Sequence, residues 1–268
     1  MIPSRDWAEE PLQILSMGGG VQSSAILLLV KEEKLPKPDA VVFSDTGSEM
    51  PYTYEHMERI SLLCDEIGVP FVTVRAVMKG KEWKLHEYYM SLSSMPVKVN
   101  RSCTNNFKIL PIRRWARTIV GPRNGVLLCQ SWLGITIDEA HRAKHPAEPK
   151  WAGLKFPLIN LDISRRMCEA ILKRHGWDYV KKSGCFCCPF HSRQSWAKLA
   201  KTNPDLFKIS VLMEEKKMKK YDGSTMLGDG LPLTYVDPPI TLSDFGMEFD
   251  SVPDWENSAC DGFGGCFL

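Results

Sequence analysis

The stretch Ser16-Met17-Gly18-Gly19-Gly20-Val21-Gln22-Ser23-Ser24 sets three consecutive glycines among three hydroxyl side chains. Glycines let a backbone approach an anion with no Cβ in the way, and a following helix start adds N–H groups and the positive end of its dipole. Ser16, Ser23 and Ser24 offer hydroxyl donors to the same oxygens. Such glycines also serve turns that bind nothing, and two familiar nucleotide motifs are absent: no Lys-Ser/Thr pair closes a Walker loop, and the spacing is not that of a dinucleotide fingerprint.

The second chemistry is sulfur. Nine cysteines is a high and odd count, which in a reducing compartment speaks for ligands, catalytic thiols or packing before disulfides. Cys185 and Cys188 form a C-x-x-C pair ending in Pro189, a spacing at which two thiolates can grip one metal or one cluster corner. His191 follows Cys188 by three residues and can complete a zinc site; Cys260 and Cys266 lie in a Gly-rich tail, where a cysteine can also swing to a bound nucleotide as nucleophile or sulfur carrier. Turn geometry sets Cys187 apart from the pair. Cys64, Cys129 and Cys168 fall in apolar patterns and read as core thiols. A third feature is the run from Lys79 to Arg101, where Lys79, Lys81, Lys84, Lys98 and Arg101 accompany Trp83, Tyr88 and Tyr89, a mixture suited either to bases and phosphates or to a lid over a small substrate.

These residues need elements to position them. Leu12 to Met17 reads as a buried strand, the glycines follow at once, and Ser23 to Glu33 reads as a helix opening on the turn. Ala40 to Phe43 is a second strand, Tyr52 to Ile67 a helix, Pro70 to Val74 a third strand. Met78 to Phe107 is irregular, a long loop or lid. A helix over Ile109 to Val120, strands at Gly125 to Gln130 and Phe156 to Asn160, and a helix over Ser164 to Gly176 with Ser164 as N-cap follow. Helices around Gln194 to Lys201 and Asp205 to Lys220 lie beyond the Cys-rich turn, and the run from Glu214 to Lys220 reads as a solvated helix end. The expectation is an α/β protein: an open, mostly parallel sheet with helices on both faces over residues 1–180, and a Cys-rich helical region over 181–268 packed on it.

The loop resembles the Ser-x-Gly-Gly-x-x-Ser signature of the PP-loop ATP pyrophosphatase superfamily, and four further stretches are similar to its phosphoadenylyl-sulfate reductase-like branch. They are Asp45-Thr46-Gly47-Ser48-Glu49 with Tyr52-Thr53-Tyr54-Glu55, Cys103-Thr104-Asn105-Asn106-Phe107-Lys108 with Pro111, Leu133-Gly134-Ile135 with Asp138-Glu139-Ala140-His141-Arg142, and Phe156-Pro157-Leu158-Ile159. The resemblance implies an adenine nucleotide alpha hydrolase-like fold whose loop, Gln22 included, holds the phosphates of ATP or of a phosphosulfate nucleotide (PAPS). It implies Asp45 and Thr46 at the carboxyl end of the second strand, with Asp45 on Mg²⁺ or ribose, and Lys108, Arg113, Arg114 and Arg142 on phosphate or sulfate oxygens. Many members carry an acid where this chain has Gln22.

Cys103 lies in one of the matched stretches, which raises the C-x-x-C pair to a set: a [4Fe–4S] cluster on Cys103, Cys185, Cys188 and a tail cysteine, Cys266. Structural Zn²⁺, a redox dithiol and plain packing are the alternatives. The resemblance thus implies an ATP-dependent sulfurtransferase acting on an acceptor such as a nucleic acid, with Cys266, Asp45 and Lys108 as catalytic candidates and a cysteine desulfurase or thioredoxin-type protein as donor. A phosphosulfate reductase releasing sulfite is the second reading, although the chain ends Gly-Gly-Cys-Phe-Leu without the reductases' Glu-Cys-Gly-Leu-His motif. A non-catalytic nucleotide binder with structural zinc is the third. The 34 Lys and Arg against 32 Asp and Glu leave a net charge of +2, which argues neither for nor against nucleic acid. The N-terminus lacks the order of a signal peptide and no apolar run is long enough to span a bilayer, so a cytoplasmic protein is expected.

Overall fold

The structure is a computed structural model, which describes residues 2, 4–97, 101–123, 125–144, 149–178, 180–220 and 242. In chain order, strand β1 (Leu12–Met17) leads into helix α1 (Val21–Lys31), then β2 (Ala40–Asp45), α2 (Pro51–Ile67) and β3 (Phe71–Arg75). A small hairpin of β4 (Val77–Met78) and β5 (Lys81–Glu82) precedes α3 (Leu85–Ser91) and the short α4 (Ser102–Thr104). A π-helical turn, Asn105–Ile109, runs on into α5 (Leu110–Val120). After β6 (Cys129–Trp132) come a 3₁₀ turn (Ile137–Arg142), β7 (Ala152–Lys155), α6 (Pro157–Asn160), α7 (Arg165–Arg174), α8 (Arg193–Thr202) and α9 (Pro204–Lys220).

The five long strands form one sheet in the order β3-β2-β1-β6-β7, every pair parallel. Strand side chains alternate between faces, and the sequence uses both. Leu15, Met17, Val41 and Phe43 pack with α1, α2 and α7, whereas Leu12, Ile14, Ala40 and Val42 pack with Ile112, Ala116 and Val120 of α5. Helix α1 is buried almost all round, which explains why its apolar residues show no single stripe. The order β1 next to β2 on one side and β6 on the other puts the reversal of winding at β1, and the crevice outside the carboxyl ends of such strands is where open α/β sheets bind ligands.

Three expectations need correction. The fourth strand lies at Cys129–Trp132, shifted toward the apolar Trp132. The fifth is Ala152–Lys155, while Phe156 to Asn160 is helical, because Pro157 lacks the N–H a ladder needs and suits the first turn of a helix. The segment from Met78 to Phe107 is not a bare loop: Leu85 and Tyr89, one helical turn apart, bury α3 in a second apolar cluster with Met50, Met95, Phe107, Cys185, Phe186 and Trp196. That cluster joins the middle of the chain to α8 and α9.

Candidate nucleotide and thiol site

β1 ends at Met17, and the chain passes through Gly18, Gly19 and Gly20 before α1 opens at Val21 with Gly20 as N-cap. The first N–H groups of α1 have no acceptor within the helix and face this turn. Gly19 has φ +74°, and a Cβ there would lie 3.1 Å from Met57 Cε, 3.3 Å from Thr53 Cγ2 and 3.4 Å from Ser183 Cβ. Only glycine satisfies both demands. The hydroxyls of Ser23 and Ser24 donate to the Gly20 carbonyl at 3.2 and 2.9 Å. Since the single Ser24 proton is so used, the His56 Nε2–H donates to Ser24 Oγ at 2.8 Å. Burial, with a smaller contribution from Arg59, pushes His56 down to about 4, so the ring is a neutral strut beneath the loop. Ser16 is half-buried on β1.

Two walls flank the loop. On one side a Cβ at Gly134 would stand 2.8 Å from Ser23 N and 3.0 Å from Gln22 C, so the segment after β6 rests directly on the start of α1. From that segment Glu139 accepts from Gln22 Nε2 at 3.3 Å and pairs with Arg142 Nη1 at 2.7 Å. On the other side Ser183 covers Gly19, with its Oγ 3.7 Å from the Cβ position of Gly20. The backbone leading to it is anchored where Tyr52 OH donates to the Lys182 carbonyl at 3.1 Å, and Lys181 Nζ stands 5.0 Å from the Tyr52 ring centre. Thr53, His56, Lys181 and Ser183 carry no motif signal; they reach the loop only because α2 and the segment before the Cys-rich turn fold over it.

At the carboxyl end of β2, Asp45 Oδ1 accepts from Gly47 N at 2.8 Å and Tyr54 OH at 3.0 Å, and Oδ2 accepts from Arg75 Nε at 3.0 Å. Asp45 is thus engaged as the brace of its own turn. Gly47, at φ +64°, passes so close to α3 that a Cβ would fall 2.6 Å from Lys84 Cγ. Beyond it, Thr46 Oγ1 donates to Glu49 Oε1 at 3.1 Å, Lys108 Nζ lies 3.4 Å from the same oxygen, and the Cys185 thiol donates to it at 3.5 Å. Thr46 Oγ1 is also 3.3 Å from Cys185 Sγ. Backbone bonds lock the two loops together: Met50 N to the Gly184 carbonyl and Phe186 N to the Ser48 carbonyl, each 2.9 Å. Burial and then the Glu49 carboxylate hold the Cys185 thiol well above its usual value, with Lys108 opposing.

Cys187, set apart by turn geometry alone, is fully buried in the same apolar cluster as Cys185 and half-buried Cys103, and burial and then Cys103 raise its thiol as well. Cys188 N donates to the Cys185 carbonyl at 3.1 Å, forming the turn. His191 hydrogen-bonds the Cys185 carbonyl, while its buried Nδ1 has no partner. Among the described residues no three His, Cys, Asp or Glu side chains are grouped so that they could hold a metal ion. The Cys103, Cys185 and Cys188 set therefore does not fit a cluster as arranged, with the Cys185 sulfur turned to Thr46 and Glu49. Cys260, Cys266 and Lys98 lie outside the described residues.

Of the basic candidates, Arg142 and Lys108 stand at the two ends of this edge, each beside a carboxylate. Arg113 is half-buried, its charge disfavoured by burial, and Arg114 donates to the Val77 carbonyl. A groove of ≈ 200 Å³ lined by Leu28, Lys31, Arg59, Leu62, His175 and Trp177 lies at the far end of α1 and forms no part of the site. Cys64, Cys129 and Cys168 are buried, each thiol pushed up to about 12 chiefly by burial.

Fold and site together define an open parallel α/β protein with a glycine turn after the first strand and a thiol-bearing turn against the second. No protein-family model matches the sequence, and no curated protein matches it. Among solved structures, the chain is similar to a phosphoadenylyl-sulfate (PAPS) reductase from Candida auris, solved as a phosphate complex, with 16% identity and a TM-score of 0.48 over 65% of this chain and 81% of that one. It is also similar to the U34-tRNA thiolase NcsA from Methanococcus maripaludis, solved with its [4Fe–4S] cluster, with 13% identity and a TM-score of 0.39 over 96% of this chain and 87% of that one. Both are in keeping with the PP-loop resemblance of the sequence motifs. Among the described residues no helix is long and apolar enough to cross a membrane.

Proposed function

We propose that this chain is an ATP-dependent, pyrophosphate-releasing sulfur-transfer enzyme that adenylates an oxygen of an acceptor and replaces it by sulfur. The observation that carries the reading is a shared edge: the glycine turn and the Cys185 thiol stand at the carboxyl ends of neighbouring parallel strands, the turn after β1 and the thiol held through Thr46 and Glu49 after β2. In the proposed reaction an acceptor oxygen attacks the α-phosphorus of ATP, and the bond to the bridging oxygen of the β-phosphate breaks. Pyrophosphate departs toward the N–H groups of α1, where preorganised donors act most strongly on developing charge. A sulfur nucleophile carried on a cysteine then bonds to the acceptor carbon, and AMP leaves with the original oxygen.

The chain's own residues divide this work. Gly18, Gly19 and Gly20 admit the phosphates, Arg142 supplies positive charge at the Gln22 side, and Asp45 keeps the turn after β2 in place through Tyr54 and Arg75. Lys108 balances Glu49 beside the thiol. A thiol held protonated by burial is a poor nucleophile, so Cys185 is a positioning group in this reading and Cys266 of the tail is the carrier. A nucleic-acid acceptor is supported by the hairpin, where Lys81 Nζ lies 3.9 Å from the Trp83 ring centre and Trp83 meets Tyr88 edge-on at 5.7 Å. Alanine at Lys81 and Lys84 is expected to weaken salt-sensitive RNA or DNA binding; unchanged binding in a filter assay removes that acceptor class.

The test follows the label of α-³²P-ATP. AMP and pyrophosphate, formed only with acceptor and sulfur donor present, support the reading. ADP as product sinks it, sulfite released from PAPS without ATP cleavage replaces it by reduction, and tight ATP binding with no turnover replaces it by a non-catalytic binder.

A further inference from the structure

A phosphate loop built of N–H groups handles negative charge but offers no ligand to the divalent cation that accompanies a polyphosphate. Mg²⁺ takes oxygen ligands and is usually held by one or two carboxylates together with substrate phosphates and water. The first turn of α1 holds no acidic residue. Of the carboxylates around this edge, Asp45 is engaged by Gly47, Tyr54 and Arg75, Glu49 faces Cys185 and Lys108, and Asp138 accepts from Arg165 N at 2.6 Å, where it caps α7. Glu139 is different: one oxygen is held by the Gln22 amide above the first turn of α1, the other by Arg142, and the side chain keeps 24% of its exposure.

Two further atoms point to a polar guest here. Thr53, 1% exposed, has a buried Oγ1 with no hydrogen-bond partner while its methyl group lies against Gly19; Thr136, fully buried at the head of the 3₁₀ turn that carries Glu139, has another. Buried hydroxyls without partners are uncommon in folded proteins and call for water, an ion or a ligand.

We infer that Glu139, aimed by Gln22 and Arg142, is the carboxylate that carries the divalent cation of a nucleotide bound at the glycine loop. The inference rests on the nucleotide reading above. When bound, Mg²⁺ neutralises phosphate charge; the chain contributes the Glu139 oxygen, and Gln22 holds it in register with α1. A carboxylate supplied across the fold, from residue 139, thereby serves a loop that has none of its own.

The test is ATP affinity by titration calorimetry, with Mg²⁺ and with EDTA, on wild type, Glu139→Gln and the swap Gln22→Glu/Glu139→Gln. Wild type is expected to bind ATP about tenfold more tightly with Mg²⁺, an ordinary coupling between two ligands. The ratio is expected to fall below about twofold in E139Q and to recover in the swap, which returns a carboxylate to the same hydrogen-bonded pair. Electron paramagnetic resonance of Mn²⁺ with the protein and a non-hydrolysable ATP analogue gives a readout independent of turnover: E139Q is expected to lose the bound-manganese signal. ATP binding by E139Q with the wild-type Mg²⁺ ratio and manganese signal overturns the inference and leaves the nucleotide reading standing. Wild type that binds ATP with no preference for Mg²⁺ does the same. Wild type that binds no ATP in either buffer overturns both.

Discussion

Single atoms decide much of this site. Gly19 and Gly20 are neighbours with opposite demands: Gly19 is left-handed and packed against Thr53, Met57 and Ser183, whereas a methyl group on Gly20 meets only Ser183 Oγ at 3.7 Å. Gly19→Ala is therefore expected to destabilise the fold by about 1–2 kcal/mol in urea unfolding, before any contact cost. Gly20→Ala is expected to cost less than about 1 kcal/mol as a changed N-cap, yet to reduce nucleotide affinity markedly, because its Cβ occupies the approach to the N–H groups. Equal ATP affinity in G20A and wild type would remove the phosphate from this turn. Thiol exposure and protonation give a second prediction. Cys185 and Cys187, buried and held protonated, are expected to resist iodoacetamide at neutral pH in the native protein, while half-buried Cys103 is modified first. Mass-spectrometric mapping of the alkylated peptides checks the order, and early labelling of Cys185 contradicts it.

At the scale of elements, the glycine turn depends on how α1 and α2 are pinned. The strut from His56 through Ser24 to the Gly20 carbonyl ties them, and it works with a neutral ring. His56 titrates at about 4 in the folded protein against 6.5 for the free side chain, with burial as the main cause. Between these values the unfolded chain binds a proton that the folded chain refuses, so stability falls as pH drops from 6.5 toward 4 and rises again on return to neutrality. The contribution is at most about 3 kcal/mol. His56→Gln, which cannot titrate but keeps an N–H donor, is expected to flatten that part of the stability profile. A profile in H56Q as steep as wild type over this window assigns the acid sensitivity elsewhere. The same scale explains the misplaced fifth strand: Phe156 to Ile159 is as apolar as a strand, but Pro157 cannot donate to a ladder, and the shorter Ala152–Lys155 pairs with β6 instead.

For the whole molecule, the second apolar cluster is the organising fact. Met50, Tyr89 and Phe107 come from the first part of the chain, Phe186, Trp196 and Met213 from beyond residue 180, and together they hold the Cys-rich turn against the loop after β2. Residues 181–220 accordingly act as a cover on the sheet domain, and our proposal is that they are not an independent folding unit. Trp196→Ala, at a fully buried position, is expected to cost about 3–5 kcal/mol. It should also expose Cys185 to alkylation, which a purely local defect would not. A chain ending at residue 180 is expected to bind a hydrophobic dye and self-associate through the uncovered Tyr89 and Phe107 face; a monomeric, dye-silent fragment contradicts the cover.

The sequence by itself determined the α/β alternation, the first three strands, the glycine turn and the helices after residue 160, because period-two and helical apolar patterns, glycines and caps such as Ser164 act within a few residues. It also brought forward Asp45, Thr46, Lys108 and Arg142 by motif. What these side chains touch was decided by the tertiary structure alone. Ser24 faces His56, Gln22 faces Glu139, Asp45 faces Arg75 and Cys185 faces Glu49 across 30 to 136 positions of sequence. Local pattern carries no information about such pairs: they are set by which strand ends share an edge, and a parallel sheet brings distant strand ends together only after the intervening helices have packed on its faces.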